Sequence, residues 1–568
     1  MFFPTHADNW KTWMAARKVE LIRLRQVEFQ YPGGAVPSLT GIDLSVRAGE
    51  LVLVTGPTGC GKSTLLKVIS GIIPLESSGR FSGSVMVDSL ETRQSSLPEL
   101  ARKVGLVFQS PNDQLCASTV MDEVAFGPQN LGLGQDEVNR RLQWALEQVG
   151  LSGHRNAQTA RLSGGQKQRV VIAAQLAMGQ AVLALDEPLS QLDPQGAAEV
   201  LDCLMSLRQK GLAIILVEHR LGECMELASR LVVLDQGRVL LDRPTREMGE
   251  YLDLLEKLGL KIPDGFLARK CLAVDSEDQL QKKLSCLRPP ADHKREFGQV
   301  VLALQNVSHT YPEAPQSALQ DCSLEILQGE TLAVIGPNGA GKSTLLGIMA
   351  GLHRPRTGSL LWRGKFMKKY PPVGKVGFLM QNPDLLLLET SLGQELMSGP
   401  RFLRMPDAAR RSRALAAEIG LKDSWDVPPW TLSKGQRLRA ALGAILSTRP
   451  ELLLLDEPTA GQNQANIHRL LTTLGRQKHL HAIVLCSHDL ETVARFADRV
   501  AVLKAGSLID LGTTRQVLSR LKGDQAESLK PHWPLCTSLE LGIDPPFLTL
   551  DEMLAAAGKE VPACARTS

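Results

Sequence analysis

Glu50–Gly71 reads ELVLVTGPTGCGKSTLLKVISG, and Glu330–Gly351 reads ETLAVIGPNGAGKSTLLGIMAG. Each is a short apolar run ending in glycine, then a glycine-rich turn closing on Gly-Lys-Ser, then a helix-favouring segment. The apolar runs lack polar alternation, the pattern of strands buried on both faces in a parallel sheet. Gly56, Pro57, Thr58, Gly59, Cys60, Gly61, Lys62, Ser63 and Thr64 therefore form a candidate phosphate loop. Gly336, Pro337, Asn338, Gly339, Ala340, Gly341, Lys342, Ser343 and Thr344 form a second. In such a loop glycines let backbone N–H groups curl around phosphates, and the helix N-terminus adds its dipole. The lysine supplies a mobile charge, and the Ser63 or Ser343 hydroxyl is a Mg2+ ligand. Alone, the motif specifies a nucleotide binder and nothing finer.

The recurrence extends along the chain. RLSGGQKQRV from Arg161 returns as TLSKGQRLRA from Thr431, and AVLALDEPLSQLD from Ala181 returns as ELLLLDEPTAGQN from Glu451. The pairs Lys62/Lys342, Gln109/Gln381, Ser163/Ser433, Asp186/Asp456 and His219/His488 keep one order and near-constant spacing, which implies a duplicated domain. The first copy carries a few extra residues near SSLPEL, between its phosphate loop and its glutamine. Each copy closes on a short helical appendage, LLEKLGLKIPDGF from Leu254 and LELGIDPPFLTLDEML from Leu539. The expected division is a tail at 1–20, a first domain at 21–272, a charged linker at 273–299 that reads equally as exposed chain or as a small helix plus loop, a second domain at 300–556 and a tail at 557–568. AVLALDE, LLLLDE, LAIILVEH and HAIVLCSH are further buried-strand runs, so each domain reads as α/β with helices on both faces of a parallel sheet.

Composition narrows the class. A length of 568 residues is too long for one core. The formal charge of +4 gives no strong nucleic-acid field. Ten cysteines show no CxxC pair, which suits reduced thiols better than disulfides. The N-terminal residues lack a secretory apolar core, and no run approaches the 18 apolar residues of a spanning helix. Work at a membrane would have to go through another protein.

Asp186-Glu187 and Asp456-Glu457 each end an apolar strand, the place where a parallel sheet holds its ligand. The first acid of each pair can hold Mg2+, and the second is placed to polarise an attacking water.

Leu-Ser-Gly-Gly-Gln at Leu162 to Gln166, taken with these motifs, resembles the ATPase domain of an ABC (ATP-binding cassette) protein over both copies. The resemblance implies two tandem phosphate-loop domains, each with a RecA-like core, a helical signature subdomain and the short C-terminal appendage. It implies that Tyr31 and Tyr311 stack on adenine, that Gln109 and Gln381 link the Mg2+ and water site to a transport partner, and that His219 and His488 contact the γ-phosphate. Ser190-Gln191-Leu192-Asp193 matches the family's D-loop. In the family ATP is sandwiched between one domain's phosphate loop and the other's signature. That implies Lys62, Ser63, Asp186, Glu187 and His219 working with Ser433 and Gly435, and Lys342, Ser343, Asp456, Glu457 and His488 with Ser163 and Gly165. The second copy departs from the pattern: it has Lys434 in its signature and Ala460-Gly461-Gln462-Asn463 without the D-loop aspartate. Two hydrolytic sites of unequal rate are expected.

Within the family, QSPNDQLCASTVMDEVAFGPQNLGL from Gln109 resembles the segment of energy-coupling factor transporter ATPases, which serve uptake of vitamins or of metal ions such as cobalt and nickel. The LGLKIP and LGIDPP tails are similar to the C-terminal helices of that group, in which a fused tandem form occurs. This implies separate integral membrane partners, a transmembrane coupling subunit and a substrate-binding subunit. It also implies a peripheral place on the cytoplasmic face of the membrane, and neither nucleic acid nor transported substrate in contact with this chain. Two alternatives are a tandem ATPase of a sugar or peptide importer and a soluble ABC protein acting on ribosomes. The first often has a degraded half, not seen here, and the second favours a long charged helical linker. Asp113, Gln114, Asp122 and Glu123 in the first copy, with Asp384, Glu389 and Glu395 in the second, are expected to line grooves that grip arginine-bearing helices of the membrane subunits.

Overall fold

The computed structural model describes residues 19–559 apart from 35, 191, 275, 291–294, 313–315, 368–370, 460–466, 468–469, 471–472, 522–528 and 530. The second D-loop segment from Ala460 and most of both expected tails lie outside the described residues. Two compact units divide the chain, residues 1–267 and 268–568.

In the first unit, β1 (Glu20–Gln30), β2 (Leu39–Arg47), β4 (Arg80–Val87) and β5 (Leu90–Glu91) form an antiparallel sheet in the order β2-β1-β4-β5. A six-stranded sheet combines β3 (Leu51–Thr55), β6 (Val104–Val107), β7 (Val182–Asp186), β8 (Ala213–Val217), β9 (Arg230–Asp235) and β10 (Arg238–Pro244) in the order β10-β9-β3-β8-β7-β6. All its pairings are parallel except the edge pair β9–β10. The second unit repeats both. Its antiparallel sheet has β11 (Val300–His309), β12 (Leu319–Leu327), β14 (Thr357–Trp362) and β15 (Lys365–Phe366). Its larger sheet runs β20-β19-β13-β18-β17-β16, from β13 (Thr331–Ile335), β16 (Val376–Leu379), β17 (Leu452–Asp456), β18 (Ala482–Cys486), β19 (Arg499–Lys504) and β20 (Ser507–Thr513).

The unbroken apolar runs explain the central strands. β3 and β8 are buried at every residue, as a strand covered on both faces requires. The helix Lys62–Ile69 leaves the phosphate loop and packs Leu65, Leu66, Val68 and Ile69 into one core with residues of both sheets, among them Ile22, Val52 and Val54. Between β6 and β7 stand the helices Val120–Asn130, Gln135–Gln148 and Gly164–Ala177, and between β16 and β17 their counterparts Leu392–Phe402, Ala408–Glu418 and Lys434–Ser447. Leu396, Leu415, Leu438 and Leu442 tie the second set to Leu453 and Leu455 of β17.

The C-terminal helices Trp533–Glu540 and Leu550–Ala556 belong to the second unit's fold: Leu535 and Leu548 pack with Ala333, Ile335, Val500 and Val517. Residues 277–285 form a Ser276-capped helix with Leu280 and Leu284 buried. Among the described residues the cysteines are free thiols, and no helix is long and apolar enough to cross a membrane.

Candidate functional site

Each phosphate loop sits where a fully buried strand gives way to a helix. Gly56 has φ +153°, and a Cβ there would stand 2.1 Å from the Leu234 carbonyl oxygen. Gly336 has φ +156° and would meet Leu503 O at 2.2 Å. Backbone cannot move away from such a clash, so only glycine fits. The buried Lys62 ammonium donates to Gly56 O at 2.9 Å and Pro57 O at 3.0 Å. Lys342 donates to Gly336 O at 2.8 Å and Pro337 O at 3.2 Å. Each lysine is thus held over its own loop, with its charge aimed at the space the loop encloses. Cys60 is buried beneath this loop, and burial pushes its thiol up.

Asp186 and Asp456 end β7 and β17. Burial raises the pKa of both, opposed by hydrogen bonds to Ser63 and Ser343 respectively. In each unit a carboxyl and a phosphate-loop hydroxyl therefore meet, the hard oxygen pair that suits Mg2+. Asp456 Oδ1 is buried without a hydrogen-bond partner, an acceptor that a cation would satisfy.

The next residues, Glu187 and Glu457, are in the left-handed region at φ +47° and +48°. That conformation is uncommon for a non-glycine residue and clusters at functional sites. Backbone bonds hold it: Glu187 N donates to Val217 O at 2.9 Å, and Glu457 N to Cys486 O at 3.0 Å. The kink turns both carboxylates towards the ends of β8 and β18, where the histidines lie. His219 Nε2 is 2.9 Å from Glu187 Oε1, and His488 Nδ1 is 2.8 Å from Glu457 Oε2. Gln109 Nε2 donates to Glu187 Oε2 at 2.9 Å. Gln381 has no such bond to Glu457. The six residues assigned to catalysis are thus grouped as Gln109–Glu187–His219 in one unit and Glu457–His488 in the other, with Gln381 apart.

Tyr31 stands edge-on to Phe29 at 4.7 Å, and its hydroxyl is 3.5 Å from Thr64 Oγ1. Tyr311 has imidazoles beside it instead, His309 at 4.9 Å and His353 at 5.4 Å between ring centroids, and its hydroxyl is 3.2 Å from Thr344 Oγ1. Both tyrosines therefore border their phosphate-loop helix, and Tyr311 keeps an exposed face.

Ser163 and Ser433 are the N-caps of the two signature helices. Each forms a capping box with a glutamine, Gln166 or Gln436. Gly165 is buried against Gly196, while Lys434 is exposed beside Gly435, so the lysine enters the second signature without disturbing its cap.

Two residues expected on a partner-facing groove are buried instead, and a third, Gln114, has its side-chain amide bonded to backbone. Glu123 is buried and accepts Cys116 N at 2.9 Å and Ala117 N at 2.7 Å; Glu395 is buried and accepts Leu388 N at 2.7 Å and Glu389 N at 2.8 Å. Their carboxylates fold the segment after the glutamine over the helix start. Gln114 is half-buried, accepting Phe108 N at 3.0 Å and donating to Leu106 O at 2.8 Å. Unpaired amides of an irregular segment demand such acceptors, and the pattern of acids could not show which way each points. Asp113, Asp122 and Asp384 are exposed and Glu389 half-buried. Asp384 pairs with Arg437 Nε at 2.7 Å, as Asn112 accepts from Lys167 Nζ at 2.9 Å.

Sequence reading passed over Glu218. It is buried, with Oε1 accepting Leu189 N at 2.8 Å and Oε2 accepting His219 N at 3.1 Å. Burial pushes its carboxyl up to about 7. The available signal was an acid directly after an unbroken apolar strand.

Comparison with known proteins gives the family. The family described as ABC transporter matches residues 39–190 and 319–460. A chain of Methanosarcina acetivorans, provisionally named an ABC transporter ATP-binding protein, is 37% identical over 95% of this chain and 92% of its own length. A chain of Bacillus subtilis, provisionally named an HMP/thiamine import ATP-binding protein, is 32% identical over 89% of this chain and 93% of its own. The solved structure of cbiO1 from Clostridium perfringens, described as part of the ABC transporter complex cbiONQ, is 31% identical with a TM-score of 0.38, covering 44% of this chain and 97% of that one. The chain belongs to the ABC transporter family, as a tandem ATP-binding subunit whose ATPase activity is coupled to transport.

Proposed function

We propose that this chain energises an importer of the energy-coupling factor type, taking up a vitamin or a transition-metal ion through separate membrane subunits on whose cytoplasmic face it sits. The observation that carries the reading is the completeness of both units: each has a lysine-bearing loop, a serine–aspartate pair and a kinked glutamate facing a histidine. Likeness to the thiamine-import chain of Bacillus subtilis along nearly the whole length supports import.

In this reading Lys62 and Lys342 turn from their own carbonyls to the phosphate oxygens, and Tyr31 and Tyr311 border the base. Ser63 with Asp186, and Ser343 with Asp456, would hold Mg2+, which would neutralise charge on the β- and γ-phosphates. Glu187 and Glu457 orient the attacking water and accept its proton. His219 and His488 exchange their glutamate contact for the γ-phosphate, while Ser163 with Gly165 and Ser433 with Gly435 are the signature donors to nucleotide. Gln109 and Gln381 relay the state of each site to the segment after them. There Asp113, Asp122, Asp384 and Glu389, among the exposed side chains Phe108, Phe126, Leu385 and Leu388, meet the membrane subunits.

The test is a pull-down from a strain expressing the neighbouring membrane proteins, with uptake measured in the same cells. Co-purified membrane chains, and uptake lost in Asp113→Ala/Asp122→Ala while the chain still binds ATP, are the expected result. Recovery with ribosomes, or wild-type uptake and complex yield in the variant, would overturn the reading.

A further inference from the structure

The turn carrying His219 holds a second loop as well as the glutamate. Glu218 and Arg220 flank the histidine. Glu218 Oε1 accepts the Leu189 amide at 2.8 Å, and Arg220 donates to Leu192 O at 3.2 Å. These contacts reach Leu189 and Leu192 of the D-loop. Leu189 and Leu192 are both buried, and Asp193 caps the next helix by accepting Gly196 N at 2.8 Å. Both ends of the loop are thereby joined to one tripeptide. Glu218 Oε2 also accepts the His219 amide at 3.1 Å, so one carboxyl group joins the histidine's backbone to the loop. A buried carboxyl group that, among the described residues, accepts from two backbone amides is an expensive choice for simple packing.

The second unit has other residues at these two positions. Its flanking residues are Ser487 and Asp489. Ser487 Oγ accepts from Asp489 N at 3.0 Å, and Asp489 accepts Glu491 N at 3.1 Å and Thr492 Oγ1 at 2.6 Å. These bonds start the helix Leu490–Phe496. A serine side chain is too short to span what Glu218 spans.

We propose that Glu218 and Arg220 are positioning residues of the first ATP site, which carry a displacement of His219 into the 189–193 loop so that γ-phosphate sensor and D-loop move as one body. This rests on the reading of His219 as the sensor. Neither residue touches nucleotide in this scheme, so their loss changes turnover rather than binding.

The experiment measures steady-state ATPase activity of the full chain in two backgrounds, E457Q and E187Q, which leave hydrolysis to the first or the second site. In E457Q, E218A and R220A are each expected to lower kcat about tenfold to a hundredfold, the scale of a misplaced catalytic group, with KM for ATP within about threefold. E218Q keeps an acceptor for Leu189 N and is expected to recover most of the loss over E218A. In E187Q the same changes are expected to cost clearly less. Equal losses in the two backgrounds, a raised KM at constant kcat, or E218Q no better than E218A would overturn the proposal. H219A in the E457Q background separates the two layers. Retained hydrolysis there overturns the sensor reading and this proposal with it, whereas an inactive H219A beside unaffected E218A and R220A overturns the proposal alone.

Discussion

In the first unit Glu187 is gripped from two sides, by Gln109 and by His219 Nε2, each at 2.9 Å. In the second, Glu457 is held by His488, through Nδ1 at 2.8 Å and the backbone amide at 3.3 Å. Glu457 is also the more enclosed, its side chain 8% exposed against 23% for Glu187. The backbone devices are the same in both: matching glycine φ values, matching left-handed glutamates and one strand order. The copies have therefore kept what builds the phosphate cradle and diverged in what surrounds the glutamate carboxylate. A reason for one divergence is visible at Gln114, whose amide ties the loop carrying Gln109 to Leu106 and Phe108. Its counterpart, Leu386, offers no polar group, and Gln381 has no bond to Glu457.

The strongest test of this comparison removes the carboxylates. Glu187→Gln and Glu457→Gln each delete the carboxylate proposed as base while leaving the cradle, so each should reduce turnover at its own site by about 10²–10⁴-fold with ATP binding retained. The double variant should bind ATP without hydrolysing it. Steady-state rates of the two single variants rank the sites, and equal residual rates would break the claim that they differ.

Glu218 gives the next effect. Burial pushes its folded carboxyl up to about 7, above the ordinary value of about 4.5. A raised carboxyl pKa contributes stability that is present below the unfolded value and lost as pH rises through the folded one. Wild type should therefore lose stability relative to Glu218→Gln between about pH 4.5 and pH 8, by at most about 3 kcal/mol. Denaturant unfolding of both proteins across that range checks it, and parallel pH profiles would refute the buried-acid account.

Tyr31→Ala and Tyr311→Leu should each weaken nucleotide binding by about 1–3 kcal/mol if the ring stacks on the base. Nucleotide titration decides, with unchanged affinity in both pointing to packing against the phosphate-loop helix. The smallest change sharpens the contrast directly. Gln114→Leu gives the first unit the side chain of the second and removes two hydrogen bonds, about 1–2 kcal/mol of loop anchoring. It should lower turnover in the Glu457→Gln background a few-fold and leave the Glu187→Gln background nearly unchanged, as read by ATPase rate.

Much of this molecule could be read directly from its residue order. The phosphate loops declare themselves because a buried strand, φ-positive glycines and a helix start are local requirements, met by neighbouring residues. The duplication was equally legible, since paired motifs at near-constant spacing leave little alternative. Asp186-Glu187 and Asp456-Glu457 were legible because an acid ending an apolar strand has few other reasons to be there. What the order of residues could not supply was the direction in which side chains point once segments distant in sequence are packed together. Glu123 and Glu395 read as surface acids, yet the irregular segments before their helices left amides that needed acceptors, and packing turned the carboxylates inward. Glu218 was passed over because its partner, Leu189, lies on another strand's loop, and only the adjacency of β7 and β8 brings them together. The inequality of the two glutamates was settled the same way: it depends on a hydrogen bond across 78 residues to Gln109, and such a contact exists only after the sheet has formed.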